Sequence, residues 1–270
     1  MHEVLRTLNR RHDQLRTIKI SYNVFGYAPG SVLFELGNTK VLCSVSIQPG
    51  VPLFLKGSKT GWLTAEYAML PTSGHTRSFR ESTQVKRNDR SVEISRLIGR
   101  SLRSIVNLTK LHERTIFVDC DVLQADGSTR TASITGAYIA LKMAVDQWLK
   151  TGELSDTILT DALTAVSVGF KQGKALLDLD YAEDNTIDAD YNFVLTQSQK
   201  IIEIQGCAEK NMLSWDDFDK LKVLAIKGNN ELFDTVNQSL QMMVTQGKEK
   251  KSSDTPLPLF SLKNRLVDVV

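Results

Sequence analysis

Six carboxylates fall within thirteen consecutive residues of this chain: Asp178, Asp180, Glu183, Asp184, Asp188 and Asp190. So many like charges repel one another and need compensation. One compensation is a hard divalent cation, which prefers oxygen ligands. Mg²⁺ commonly takes one or two carboxylates plus substrate phosphates. The spacing is not that of an EF-hand, which argues against a dedicated Ca²⁺ loop. A solvated acidic turn between two strands accounts for the composition equally well.

A second constellation is Asp126-Gly127-Ser128-Thr129-Arg130-Thr131, which follows a strand-like run and opens a long helical one. Unpaired N–H groups and the dipole at a helix start favour an anion. Two threonine hydroxyls and an arginine fork add donors suited to phosphate. An ordinary helix cap with a surface arginine has the same appearance. The third is basic: Arg77, Arg80, Lys86, Arg87, Arg90, Arg96, Arg100 and Arg103 stand against Glu81, Asp89 and Glu93. Such an excess suits a nucleic-acid backbone and salt-sensitive binding without sequence preference. A solvated or interfacial helix face competes for Arg96, Arg100 and Arg103. Anion cradle, carboxylate cluster and basic track together suit phosphoryl or nucleotidyl transfer better than any one alone. There is no Walker A motif, GxGxxG or GxSxG, and His2, His12, His75 and His112 are scattered without zinc-type spacing.

The elements that must carry these groups follow from periodicity and turn signals. Thr17–Tyr22, Ser31–Leu36, Lys40–Ile47 and Trp62–Leu70 read as strands, and residues 71–90 as a polar loop. A helix over about Ser91–Val106 has the apolar stripe Ile94, Leu97, Ile98, Leu102 and Ile105. Thr115–Gln124 is a strand, and a helix over about Thr131–Lys150 stops at Gly152. Two hairpins follow, Leu163–Phe170 with Lys174–Tyr181 and Tyr191–Gln197 with Lys200–Gln205. A last helix spans about Ser214–Met243, with Ser214 as its cap. The expected fold is α+β, with mixed sheets and helices packed on them. The expected organisation is a basic arm over 1–14, a catalytic domain over 15–243 and a flexible extension over 244–270.

With 270 residues and 41% hydrophobic content, the chain can bury a sizeable core, and its formal net charge of +2 names no partner. Cys43, Cys120 and Cys207 form no CxxC and read as buried free thiols in a reducing compartment. The start lacks the apolar stretch of a secretory signal, and no run approaches the roughly 20 residues of a membrane span. The expectation is a cytoplasmic protein without membrane association.

The stretches GSVLFELGNTKVLCSVSI, TAEYAMLP, EISRLIGRSLR, DCDVLQADGSTRTASITGA, LLDLDYAEDN and IIEIQGCAE occur in this order. In them the chain resembles the bacterial ribonuclease PH family, over about residues 10–240. The resemblance implies a β-α-β split fold and a homo-oligomeric ring, a hexamer built as a trimer of dimers. It implies a phosphorolytic nucleotidyltransferase acting as a 3′-exoribonuclease on RNA 3′ ends, chiefly tRNA precursors. Inorganic phosphate would be co-substrate and Mg²⁺ or Mn²⁺ the metal. Residue by residue, it implies phosphate binding by Arg90, Thr129 and Arg130, and catalysis and metal binding by Asp184 and Asp190. Arg77 and Arg80 fall at loop arginines that serve RNA or subunit contacts. The chain departs at Asn88-Asp89, where the family has two glycines, and at Ser128, where it has another. It also has Thr72 in place of an arginine and Thr17 in place of a proline. An acidic Asp89 and a constrained Ser128 leave a second reading open, a non-catalytic RNA-binding ring subunit of an exosome-like assembly.

Overall fold

The computed structural model describes residues 6–83, 86 and 88–251, so Arg87, the first five residues of the arm and residues 252–270 lie outside the described residues. Strands β1 (Ile18–Tyr22), β2 (Gly30–Leu36) and β3 (Thr39–Pro49) form an antiparallel meander. β3 pairs antiparallel with β5 (Arg114–Gln124), and β5 pairs in parallel with β4 (Trp62–Met69). Parallel neighbours need a crossover, and helix α1 (Asp89–Arg103) supplies it, making the β-α-β unit. The second sheet runs β7-β6-β8-β9 and is antiparallel throughout: β6 (Leu163–Lys171), β7 (Lys174–Leu177), β8 (Ala189–Thr196) and β9 (Ile201–Ala208).

Helix α2 (Thr129–Thr151) packs against both sheets and has no solvent face over most of its length. Its composition follows from that position. Ala132, Ser133, Gly136, Ala137, Ala140 and Ala144 are buried and small, which lets the strands approach closely. A Cβ on Gly30 of β2 would stand 2.0 Å from the Ala140 carbonyl oxygen. One on Gly136 would meet Cys43 Sγ at 2.8 Å. Gly152, at φ +79, ends the helix in the left-handed conformation that glycine adopts without penalty. The stripe Ile94, Leu97, Ile98, Leu102 and Ile105 is buried as its spacing requires.

Three elements depart from the sequence reading. Lys174–Tyr181 is not one strand: β7 ends at Leu177, Asp178 turns at φ +57, and a one-turn helix α3 (Tyr181–Asp184) follows. The last helix, α4 (Trp215–Lys251), packs on β6 and β7 and continues past residue 243. Cys43 and Cys120 are buried partners across β3 and β5, but Cys207 is exposed, because β9 is an edge strand with one uncovered side.

Three arginines near the start of the chain are not on the surface. Arg6, Arg10 and Arg16 are buried against the turn that leads into α3. Arg6 donates to both Glu183 oxygens at 2.7 and 2.8 Å, and Arg10 to Glu183 at 3.1 Å. The Arg16 guanidinium grips Asp178 at 2.7 and 3.0 Å, while its backbone N–H donates to the same carboxylate at 2.7 Å. Removing one partner of a buried ion pair strands the other charge, at a cost of about 3–5 kcal/mol. Arg16→Met should therefore lower unfolding free energy by roughly that amount in urea titration. A loss under about 1 kcal/mol would show that Asp178 is held by other groups.

Candidate active site

The arginine network resolves the six-carboxylate cluster into parts. Asp178, Asp180 and Glu183 are buried and matched by Arg6, Arg10 and Arg16. Asp180 and Glu183 also make a reciprocal capping box that starts α3, at 2.9 and 3.1 Å. Asp188, just before β8, accepts a hydrogen bond from the Gln172 backbone at 2.9 Å and braces the β6–β7 turn. Only Asp184 and Asp190 remain for chemistry. They line one small cleft together with Arg90, Ser128, Thr129, Arg130, Ser167, Leu179 and Asn192. The structure thus brings together all five residues to which the resemblance assigns chemistry.

The anion loop is docked onto the acidic turn. Gly127, at φ +76, lies so close that a Cβ would stand 2.5 Å from the Leu179 carbonyl oxygen and 2.6 Å from the Asp180 carbonyl carbon. Ser128, at φ +57, takes the left-handed conformation that a glycine adopts more readily. Its hydroxyl compensates by donating to the Leu179 carbonyl at 2.8 Å and pairing with Ser167 Oγ at 2.7 Å. Thr129 is buried and accepts a hydrogen bond from Tyr67 at 3.1 Å, so its own hydroxyl hydrogen is left to donate. Arg130 donates one N–H to Glu93 at 2.7 Å, and Gln205 donates to the other Glu93 oxygen at 3.0 Å. The Arg130 Nε is buried and has no hydrogen-bond partner, a donor suited to an incoming anion. Arg90 is exposed and its guanidinium makes no hydrogen bond or ion pair among the described residues. Asp89 does not crowd this site: its carboxylate pairs with Lys86 at 2.9 Å, both largely solvated, while Asn88 caps α1 by accepting from the Arg90 N–H.

The two aspartates hold their protons more tightly than free carboxylates. For Asp184 the main cause is loss of hydration, followed by repulsion from Asp190 and Glu209; Arg90 and Arg130 partly oppose it. Asp190 is raised by loss of hydration and by Glu209, against Arg130. Carboxylates raised by lost hydration and by negative neighbours fit a site that takes a hard divalent cation. Donor atoms of Asp190, Cys207 and Glu209 also lie within 4.8 Å of one another. Glu209, Glu93, Gln205 and Tyr67 are site residues that the sequence reading did not single out. Glu93, Gln205 and Tyr67 stand in unremarkable helix and strand runs and Glu209 in the bend after β9, each well separated in sequence from the groups it acts on, so no local signal marks them.

The basic track divides. Arg100 pairs with Glu203, and Arg103 donates to the Leu63 carbonyl at 3.0 Å and lies 4.6 Å from the centroid of the Trp62 ring. For these two the helix-face reading holds. Arg77 and Arg80 are exposed in the 71–88 loop and make no side-chain hydrogen bond or ion pair among the described residues.

Residues 14–145 match the model of the 3′ exoribonuclease family, domain 1, and residues 161–228 that of domain 2. The chain is 53% identical to ribonuclease PH of Neisseria meningitidis serogroup B over 225 residues, 83% of this chain and 93% of the relative. It is 54% identical to ribonuclease PH of Tropheryma whipplei over 226 residues, 83% and 91% of the two chains. Rice Rrp46 shares the fold at a TM-score of 0.69 and 20% identity, over 86% of this chain and 98% of that one. A chain of the Archaeoglobus fulgidus exosome with RNA bound to the active site does so at 0.69 and 24%, over 84% and 91%.

A negative neighbour stabilises the protonated carboxyl, so removing it must lower the pKa. Glu209→Gln should therefore shift the titration midpoints of both Asp184 and Asp190 to lower pH, read by ¹³C-carboxyl NMR on metal-free protein. Unmoved midpoints would separate Glu209 from the cluster. Because the folded pKa values are raised, these two carboxylates subtract stability above them and cease to do so as the pH falls through them.

Proposed function

The chain belongs to the 3′ exoribonuclease family, and on that premise and the cleft's donor set we propose that it shortens RNA from the 3′ end by phosphorolysis. An oxygen of inorganic phosphate attacks the last phosphodiester phosphorus, and the bond from that phosphorus to the upstream O3′ breaks. The products are a nucleoside 5′-diphosphate and an RNA one nucleotide shorter. The proton carried by the attacking monohydrogen phosphate balances the one taken up at O3′. The reverse reaction adds a nucleotide, as a nucleotidyltransferase does.

The observation that carries this reading is the unpartnered Arg130 Nε, in a cleft shared with the unpaired Arg90 and the two raised carboxylates. Arg90, Arg130 and the Thr129 hydroxyl would hold phosphate at the start of α2, converting a bimolecular encounter into an oriented one. Asp184 and Asp190 would hold Mg²⁺ or Mn²⁺, which supplies charge neutralisation at the phosphoryl oxygens. Arg77 and Arg80 would hold RNA phosphates or make subunit contacts. A ring of six copies, tRNA precursors as principal substrates and a cytoplasmic setting are parts of the same reading, supported by kinship with the bacterial relatives. The non-catalytic ring-subunit reading is weaker. Asp89 and Ser128, the departures that motivated it, are both accommodated without disturbing the cleft.

The deciding experiment is release of nucleoside diphosphate from a 3′-extended tRNA transcript in Mg²⁺. Product should appear only with phosphate present, and Arg130→Ala should raise the KM for phosphate far more than the Kd for RNA. Product formed equally without phosphate, or RNA binding with no product at all, would overturn the assignment. For the metal, Mg²⁺ should raise the melting temperature of the parent protein by mass action and leave that of Asp190→Asn nearly unchanged. The same variant should lose turnover by at least about 10²-fold. An equal thermal shift in both proteins would place the ion elsewhere.

A further inference from the structure

Helix α3 carries more than Asp184. Its first residue, Tyr181, is three positions earlier, on the same helix face, and residues so spaced have Cβ atoms about 5–6 Å apart. Tyr181 is 44% exposed, a large aromatic surface on the same helical turn as Asp184, which lines the cleft. Its ring stacks on His75 with centroids 4.4 Å apart and planes tilted by 36°. His75 begins the segment His75-Thr76-Arg77-Ser78-Phe79-Arg80, in which the unpaired Arg77 and Arg80 flank Phe79, itself 74% exposed. A ring pair that holds the loop to α3, next to free guanidiniums and exposed aromatic surface, has the composition of a single-strand binding track. Such tracks hold the backbone with cations and stack the bases on rings.

We propose that the Tyr181–His75 pair is the stacking platform for the base of the 3′-terminal nucleotide. This deepens the phosphorolytic reading and rests on it. With the scissile phosphate at Asp184 and Asp190, the base of the nucleotide being removed lies about one helical turn away, over the exposed face of Tyr181. Stacking there is indifferent to base identity, as an enzyme that removes every nucleotide in turn requires. It also fixes the sugar of the leaving nucleotide relative to the phosphate site, so Tyr181 is a positioning residue that touches substrate without taking part in bond making.

The test uses a single-stranded RNA ending in 2-aminopurine, added to the full chain with Mg²⁺ but without phosphate, so that no phosphorolysis occurs. Stacking quenches this base, so binding to the parent protein should dim it. Tyr181→Leu should abolish the quench and raise the Kd about tenfold. Tyr181→Trp should restore both. An RNA whose last nucleotide is abasic should bind the parent and Tyr181→Leu equally, a result that a merely structural role for the ring would not produce. Undiminished quenching in Tyr181→Leu, or an equal loss of affinity for the abasic RNA, overturns the platform. The two readings fail separately. Phosphate-dependent diphosphate release with no role for Tyr181 removes the platform alone. Tyr181-dependent quenching without any diphosphate release removes the phosphorolytic assignment and leaves a 3′-end binding site.

Discussion

The structure depends on one exchange of charge: three guanidiniums from the start of the chain inserted among three carboxylates near residue 180. Neither set could be buried alone, since an unpaired ion in the interior costs far more than one fold can spare. Together they leave Asp178, Asp180 and Glu183 spoken for, and the turn they hold has a single geometry. Arg16 also donates to the Asp126 carbonyl, so the arm ties the acidic turn to the anion loop as well. Gly127 then seals the two loops backbone to backbone. The residues proposed to hold phosphate and those proposed to hold the metal, some 50 positions apart in sequence, thus ride on one rigid unit.

Helix α2 supplies the other half of the geometry. A helix enclosed by two sheets cannot shift along its axis without breaking contacts on both sides, and its small residues let those contacts be close. Its first turn is therefore a fixed point, and Thr129 and Arg130 inherit that fixity. Tyr67 from β4 and Glu93 from α1 complete the support. Every element that borders the cleft is anchored in the core before any ligand arrives, which is what oriented attack requires.

Much of this was legible in the sequence, and the divisions are physical. Strands of alternating burial, the stripe of α1 and the stop at Gly152 are local signals, and they appear within a few residues of where periodicity places them. The sorting of the acidic cluster was not legible, because the compensating arginines lie more than 160 residues upstream. Composition showed that compensation was needed and could not say which carboxylates receive it. The same limit explains α3: a one-turn helix has no period to detect and exists because Asp180 and Glu183 cap each other. The run around Cys207 predicts a buried thiol, yet its strand lies at a sheet edge, which only topology decides. The selection of Asp184, Asp190, Arg90, Thr129 and Arg130 came from family resemblance, and the cleft that joins them gives that selection a physical basis.

The charge balance of the cleft carries a last consequence. Arg90 and Arg130 face Asp184, Asp190, Glu209 and Glu93, two cations against four carboxylates. A phosphate dianion entering such a site meets net repulsion, however well the donors of Arg130 and Thr129 are aimed. The pKa values of Asp184 and Asp190 are raised mainly by loss of hydration, and repulsion from neighbouring carboxylates adds to it. Relief comes from protons at low pH, which would remove the acceptors, or from a divalent cation, which keeps them. On the proposed reading, the fixed donors would select phosphate by geometry, and a divalent cation at the carboxylates would relieve the repulsion it meets. Glu93, by taking one N–H of Arg130, orients the fork, whose cleft-side Nε donor stays unpartnered.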